Sequence, residues 1–251
     1  MYHPEPYWNE VAKRISRREK AKIIAGDAEP YYRYKREKFL KLFDKIDFQN
    51  KKVLEVGSGP GGNLFEILKK QPKELHGVDI SDEMVNLSKN ILNGKKVIIN
   101  KIDGQNLPYQ SNYFDLTFTS TVLQHNTDEL MLRRIINEIC RVTKTEIYIF
   151  ERIEKTVKGT ELCLGRPVNY YQSIFHKNDF ELTEVQFLNI QISYLISGAI
   201  RKLFNKQSKK EGEPISQVST ILQKISLPIT SLFDRFFIVE RELAMLHFRR
   251  I

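Results

Sequence analysis

At 251 residues, with 41% hydrophobic and 28% charged residues, the chain is long enough to bury one sizeable core and has the make-up of an ordinary globular protein. No apolar stretch reaches the roughly 20 residues that span a bilayer, and the start Met1-Tyr2-His3-Pro4-Glu5 lacks the basic-then-apolar order of a secretory signal, so a cytoplasmic protein with no membrane span is expected. The net charge of +9 permits nucleic acid, anionic lipid headgroups or phosphorylated substrates as partners, and solvated Lys-rich helix faces account for it more simply.

Residues 1–50 place aromatic, aliphatic and basic residues at helical spacing, through Ile15, Ile23, Ile24, Phe39, Leu40, Leu42 and Phe43, and predict two or three helices forming an N-terminal cover. A short apolar run, Val53-Leu54-Glu55-Val56, then enters Gly57-Ser58-Gly59-Pro60-Gly61-Gly62, the pattern of a buried strand running into a glycine loop. Alternation follows: helix 63–70, strand 75–80, helix 82–92 with Asp82 as its expected cap, strands 96–101 and 114–119, helix 128–142 and strand 146–151. Strands alternating with helices imply crossovers and a mainly parallel sheet. Beyond it a helix at 170–177, a strand at 180–188 and a terminal strand at 243–249 are expected, with a helical insertion over about 197–238. Residues 51–251 thus read as one α/β domain. The two cysteines, Cys140 and Cys163, have neither metal-ligand nor disulfide spacing.

Glycines let the backbone turn sharply and approach a ligand closely, but a glycine loop alone is a weak signal. Gly57, Gly59 and Gly62 fit a dinucleotide fingerprint, and Gly57, Gly59 and Gly61 fit a variant of it. Three acids narrow the choice. Glu55 stands where a buried strand prefers an apolar side chain, Asp79 closes the second strand where it can accept from ribose hydroxyls, and Asp103 follows the third. Ligands of open parallel sheets lie outside the carboxyl ends of the strands, so all three acids are expected to line one crevice. Each also has a plainer reading: Asp79 as a helix cap, Glu55 as a satisfied structural acid, Asp103 in an Asp-Gly turn. Asp115, which begins a strand, is read as structural.

With these motifs in this order, the sequence resembles the class I S-adenosylmethionine-dependent methyltransferases, in particular the large small-molecule group called type 11. The resemblance runs from about Val53 to Glu151 and weakens beyond. It implies a Rossmann-like sheet of seven strands, mostly parallel, with helices on both faces and an antiparallel terminal strand between the fifth and sixth. It also implies S-adenosyl-L-methionine as cofactor: the loop carrying Glu55, Gly57, Ser58, Gly59 and Gly61 would hold its methionine portion, Asp79 and Ile80 its ribose side, and Asp103 and Gly104 its adenine, with Ser120 nearby. The family's Lys-Pro-Gly-Gly turn before strand five is replaced here by 141–146.

Methyl transfer from a sulfonium needs alignment and, for a hydroxyl acceptor, removal of a proton. His125, after strand four, is the candidate base, though a structural histidine is common there; Glu151, with Arg152, is the alternative. No metal-ligand spacing is evident. The acceptor's surroundings are expected from the N-terminal helices, from residues 165–171 and from the insertion, whose Tyr, Arg and Asn content suits a small polar acceptor, a sugar or a glycan end, and Tyr7 and Trp8 could form a lid or simply anchor the first helix. An RNA or protein substrate on the basic N-terminal clusters, a nicotinamide-dependent oxidoreductase and a non-catalytic binding protein are the competing readings.

Overall fold

The computed structural model describes residues 4–206, 208–237 and 239–251; the expectation drawn from Met1-Tyr2-His3, and the 238 boundary of the insertion, lie outside them. Two helices open the chain, α1 (Pro4–Ser16) and α2 (Pro30–Phe43). The alternating region follows as β1 (Lys52–Val56), α3 (Gly62–Leu68), β2 (Glu74–Asp79), α4 (Asp82–Ile91), β3 (Ile98–Lys101), β4 (Phe114–Ser120), a short 3-10 turn over Leu123–His125, α5 (Glu129–Val142) and β5 (Thr143–Ile153). A small hairpin, β6 (Lys158–Thr160) and β7 (Cys163–Gly165), leads to α6 (Val168–His176), β8 (Phe180–Phe187), α7 (Gln191–Phe204), α8 (Gln217–Phe233) and β9 (Glu242–Arg250).

The main sheet has the order β3-β2-β1-β4-β5-β9-β8. Its first five strands are parallel and β9 runs antiparallel to both neighbours, the seven-stranded Rossmann-like arrangement expected. Alternation along each strand divides the core in two. Val53, Leu116, Phe118 and Phe150 pack beneath α2, α3 and α4, while Leu54, Val56, Ile147 and Ile149 pack against α5 and α6. α2 is therefore a structural layer as well as a cover: Phe39 lies 4.8 Å from Phe150 and Phe43 5.1 Å from Phe118, ring centre to ring centre.

Local chemistry explains the helix starts. Ser81, rather than Asp82, caps α4 by accepting from the Met84 amide at 3.1 Å, and Asp82 occupies the first turn, where a negative charge meets the helix dipole. Asp128 caps α5 by accepting from Met131 at 2.9 Å. Asp115 is structural, as expected, and accepts from the Lys52 amide. The insertion differs from expectation at its front edge: its first helix begins at Gln191, six residues early, because Asp234 accepts from the Ile192 and Ser193 amides and so satisfies the start of α7 from the far end of α8.

Candidate functional site

The order of the sheet reverses between β1 and β4, and at their carboxyl ends two adjoining cavities open, sharing Ala25, Gly57, Ser120 and Thr121. The first is lined by Asp79, Ile80 and Gly104 on one side and by Trp8, His125 and Asn126 on the other. The second holds Glu55, Ser58 and Asn63 beneath Lys35 and Arg36 of α2.

Asp79 is buried, accepting from the Gly59 amide at 2.8 Å and the Ser81 amide at 2.9 Å, and burial raises its pKa to about 6. Glu55 is 1% exposed; burial pushes its pKa up to about 8. One of its oxygens accepts from Asn63 at 2.8 Å and the other has no partner. Asn63 is oriented by Arg36, which donates to its carbonyl oxygen at 3.1 Å and to the Gly62 carbonyl at 2.9 Å. The N-terminal segment lies tight on this loop: a methyl group on Gly62 would strike the Ile23 carbonyl oxygen.

Two of the expected cofactor residues are placed elsewhere. The Asp103 carboxylate is exposed and turned back on its own loop, accepting from the Gln105 and Asn106 amides and from the Asn106 side chain, so it belongs to the Asp-Gly turn and does not line the first cavity, although Gly104 does. Gly61 lines neither cavity; at φ 86° it begins α3, and a side chain there would meet Ser88 and Leu92 of the α4 region.

Glu151 likewise lines neither cavity. It is fully buried, one oxygen accepting from Thr119 and from the Val122 and Leu123 amides, the other from the Gln124 amide. Its carboxylate shapes the turn after β4, where Thr121 is held at φ 56°, a conformation a β-branched residue rarely adopts. Arg166 grips the same turn from the other side, donating to the Leu123 and Asn126 carbonyls at 3.0 and 2.9 Å. Arg166 and Tyr171 are buried, so the 165–171 segment supports the site instead of facing an acceptor. α7 and α8 also contribute nothing to the lining of the first cavity.

The turn so formed presents His125. Its Nδ1 donates to the Leu162 carbonyl at 2.8 Å, which leaves Nε2 as the acceptor nitrogen of the neutral ring. Gln124 donates to that Nε2 at 3.1 Å, its amide oriented by the Arg152 N–H on its oxygen at 2.9 Å. Burial lowers the His125 pKa, and Trp8 meets the ring edge-on at 5.0 Å. Trp8 is thus a wall of the cavity, held by α1, whose Asn9 accepts from Ser81 and from the Glu83 amide. Lys35, Arg36, Asn63, Thr121, Val122 and Met131 are site-lining residues that sequence reasoning missed; Asn63, one position into the helix after the glycines, carried the only local signal. Among the described residues no group of three or more His, Cys, Asp and Glu could hold a metal ion.

A glycine loop after β1 and a buried acid at the end of β2 that accepts from it, beside the switch point of a seven-stranded sheet with an inserted antiparallel strand, define the class I methyltransferase fold. Comparison with known proteins agrees: residues 53–146 match the family described as a methyltransferase domain. Norajmaline N-methyltransferase of Rauvolfia serpentina is 28% identical over 109 residues, covering 42% of this chain and 36% of that protein. In the curated relatives generally, the match spans well under two thirds of their length. Among solved structures, magnesium protoporphyrin IX methyltransferase of Synechocystis PCC 6803 with bound SAM is similar at a TM-score of 0.62 and 13% identity, covering 99% of this chain and 95% of that one. The cyclase SpnF reaches 0.65 at 16% identity, covering 98% and 92%, so the fold by itself does not specify the reaction. Residues 53–146 thus match a methyltransferase domain within a chain of class I methyltransferase fold, and S-adenosylmethionine is the cofactor of that class. The residues present fit it: a buried acid for a ribose, an unpartnered carboxylate oxygen for an ammonium, and cations of α2 beside them.

Proposed function

We propose that this chain transfers a methyl group from S-adenosylmethionine to a hydroxyl of a small polar acceptor, a sugar or glycan end among the candidates, and works in the cytoplasm. The sulfonium supplies an already activated methyl group, so the protein's task is to align the partners and receive a proton. Asp79, with Ile80 and Gly104, would hold the adenosine end; Glu55 would face the methionine ammonium, and Lys35 and Arg36 its carboxylate. The acceptor would enter between Trp8 and His125, with Ser120, Thr121 and Asn126 around it, and give its proton to His125 Nε2 in place of the Gln124 hydrogen bond.

The observation that carries this reading is the composition of the first cavity: Asp79 is the one acid among its described lining residues, and the acceptor end holds only neutral hydrogen-bonding groups and an aromatic wall. A cationic amine acceptor would find no counter-charge there. The free thiols Cys140 and Cys163 suit a reducing compartment. The basic N-terminal residues Arg14, Arg17, Lys20 and Arg33 line a separate groove that shares no residue with either cavity, which favours a small acceptor over an RNA or protein substrate. The test is formation of S-adenosylhomocysteine with a panel of hydroxyl and amine acceptors. Turnover with hydroxyl acceptors is the expected result; turnover confined to amines, or none alongside tight NAD binding, would refute the proposal.

A further inference from the structure

α7 and α8 are amphipathic in the reverse sense from ordinary surface helices. Their buried positions are polar: Ser193 and Ser197 on α7, and Ser219, Gln223 and Thr230 on α8, with Asp234 just beyond its end. All but Ser197 take part in a hydrogen-bonded seam between the two helices and with α2. Ser193 donates to Asp234 at 2.6 Å, Asn205 to Ser219 at 2.8 Å and Tyr34 to Asp234 at 2.8 Å, while Gln223 accepts from the Tyr31 amide at 3.0 Å. The sides turned away from the seam are apolar. On α8 and just past it Val218, Ile221, Ile225, Ile229, Leu232 and Phe236 recur at intervals of three and four residues, a single stripe in which Ile225 is 64% and Phe236 75% exposed. On α7 Leu195, Ile196 and Leu203 are exposed, the last two lying two turns apart, Leu203 at 75%.

A continuous apolar face of this kind is rare on soluble monomers and marks a surface that meets an apolar medium or partner. Its rim says which. Lys202, Lys206, Lys210, Lys224 and Arg235 are all exposed on these helices or in the segments next to them, and the separate groove, in which five N-terminal arginines and lysines outnumber Glu19, Glu29 and Glu213, runs up to the same helix at Thr220 and Lys224. A second copy of the chain seated face to face would bring these cations against their own kind. An anionic bilayer surface offers the opposite charge outside and hydrocarbon within, the two things this face presents. At 14 and 17 residues the helices are suited to lying in the interface, and among the described residues no helix is long and apolar enough to cross a membrane.

We propose that the outer face of α7 and α8 is a docking surface for an anionic membrane, entered by the Ile/Leu/Phe stripe and held at its rim by lysine and arginine. This stands on different residues from the cofactor reading and can fail without it.

The test is flotation of the full chain with vesicles of phosphatidylcholine alone and with about 30% phosphatidylglycerol at near-physiological salt. Partition onto the anionic vesicles is expected to exceed that onto neutral ones by about tenfold or more. Ile225→Glu combined with Ile229→Glu should lower it at least about tenfold on both, and Lys202→Glu combined with Lys206→Glu should remove the preference for anionic lipid. Retention of the wild-type cooperative melting transition certifies each variant as folded; both pairs lie at exposed positions. Absence of flotation overturns the proposal, as does flotation indifferent to the Ile225 and Ile229 substitutions. A lipid-indifferent dimer that those substitutions split assigns the face to a second copy and overturns it too.

Discussion

Glu151, at the end of β5, accepts the backbone N–H of Gln124 at 3.0 Å, and its other oxygen takes the two preceding amides and Thr119, so one buried carboxylate holds the whole turn that presents His125. Glu151→Ala would leave three amides of a buried turn without acceptors, each costing about 1–3 kcal/mol, less what water or local relaxation recovers. We expect about 3–5 kcal/mol of lost stability in denaturant unfolding, together with loss of turnover. A variant of wild-type stability with only its turnover reduced would return Glu151 to the role of a catalytic acid–base.

Glu55 predicts a proton release. Burial holds its pKa at about 8 in the free protein, so it is largely protonated at pH 7; a cationic ammonium at its unpartnered oxygen would favour the carboxylate and expel the proton. Calorimetry of S-adenosylhomocysteine binding at pH 7, in buffers of different ionisation enthalpy, should report close to one proton released, and Glu55→Gln should abolish it. The same shift sets the pH dependence of the free protein. A carboxyl whose folded pKa lies above its unfolded value contributes its stability at low pH and loses it as pH rises from about 4.5 through about 8. The melting temperature of the wild type should therefore fall across that window relative to Glu55→Gln.

The legible part of this molecule was what local pattern controls. Strands β1 to β5, the glycine loop and Asp79 announce themselves because a buried parallel strand must be apolar and must end in a turn that a ligand can approach. An Asp-Gly turn and a ligand-binding acid look alike in sequence, so the position of the Asp103 carboxylate, turned onto Gln105 and Asn106, is legible only in the structure. Arg166 looked like a polar group for an acceptor; its burial depends on Leu123 and Asn126, about forty residues away. The hairpin β6–β7, which supplies the Leu162 carbonyl to His125, has strands of three residues, too short to show a period.

Asp79 carries the cofactor's adenosine end in this proposal, and its substitution tests the site directly. Asp79→Ala removes a charged acceptor and leaves the Gly59 and Ser81 amides without it, so affinity for S-adenosylhomocysteine should fall about 10²-fold, the equivalent of one or two charge-assisted hydrogen bonds. With the Asp79 pKa at about 6, affinity of the wild type should also weaken as pH falls below 6, because the protonated carboxyl accepts less well. Equal affinity at pH 5 and pH 7.5 would remove Asp79 from the ribose.

His125 tests the acceptor end. The ring is base-competent in form: Nδ1 holds its proton against Leu162, and burial keeps the ring neutral with the lone pair at Nε2. That lone pair is already taken by Gln124, so a hydroxyl acceptor must displace an amide to reach it. If His125 receives the proton, His125→Ala should lower turnover by about 10²–10⁴ with S-adenosylhomocysteine affinity little changed, because general-base catalysis contributes on that order and the acids proposed to hold the cofactor are elsewhere. Gln124→Leu then separates the possibilities, since it frees Nε2 while keeping a side chain of similar size. Turnover maintained or raised, with its acid limb at the His125 pKa, is what proton transfer predicts. A loss matching that of His125→Ala would mean that the Gln124 contact itself does the work, with His125 serving to orient the acceptor against Trp8.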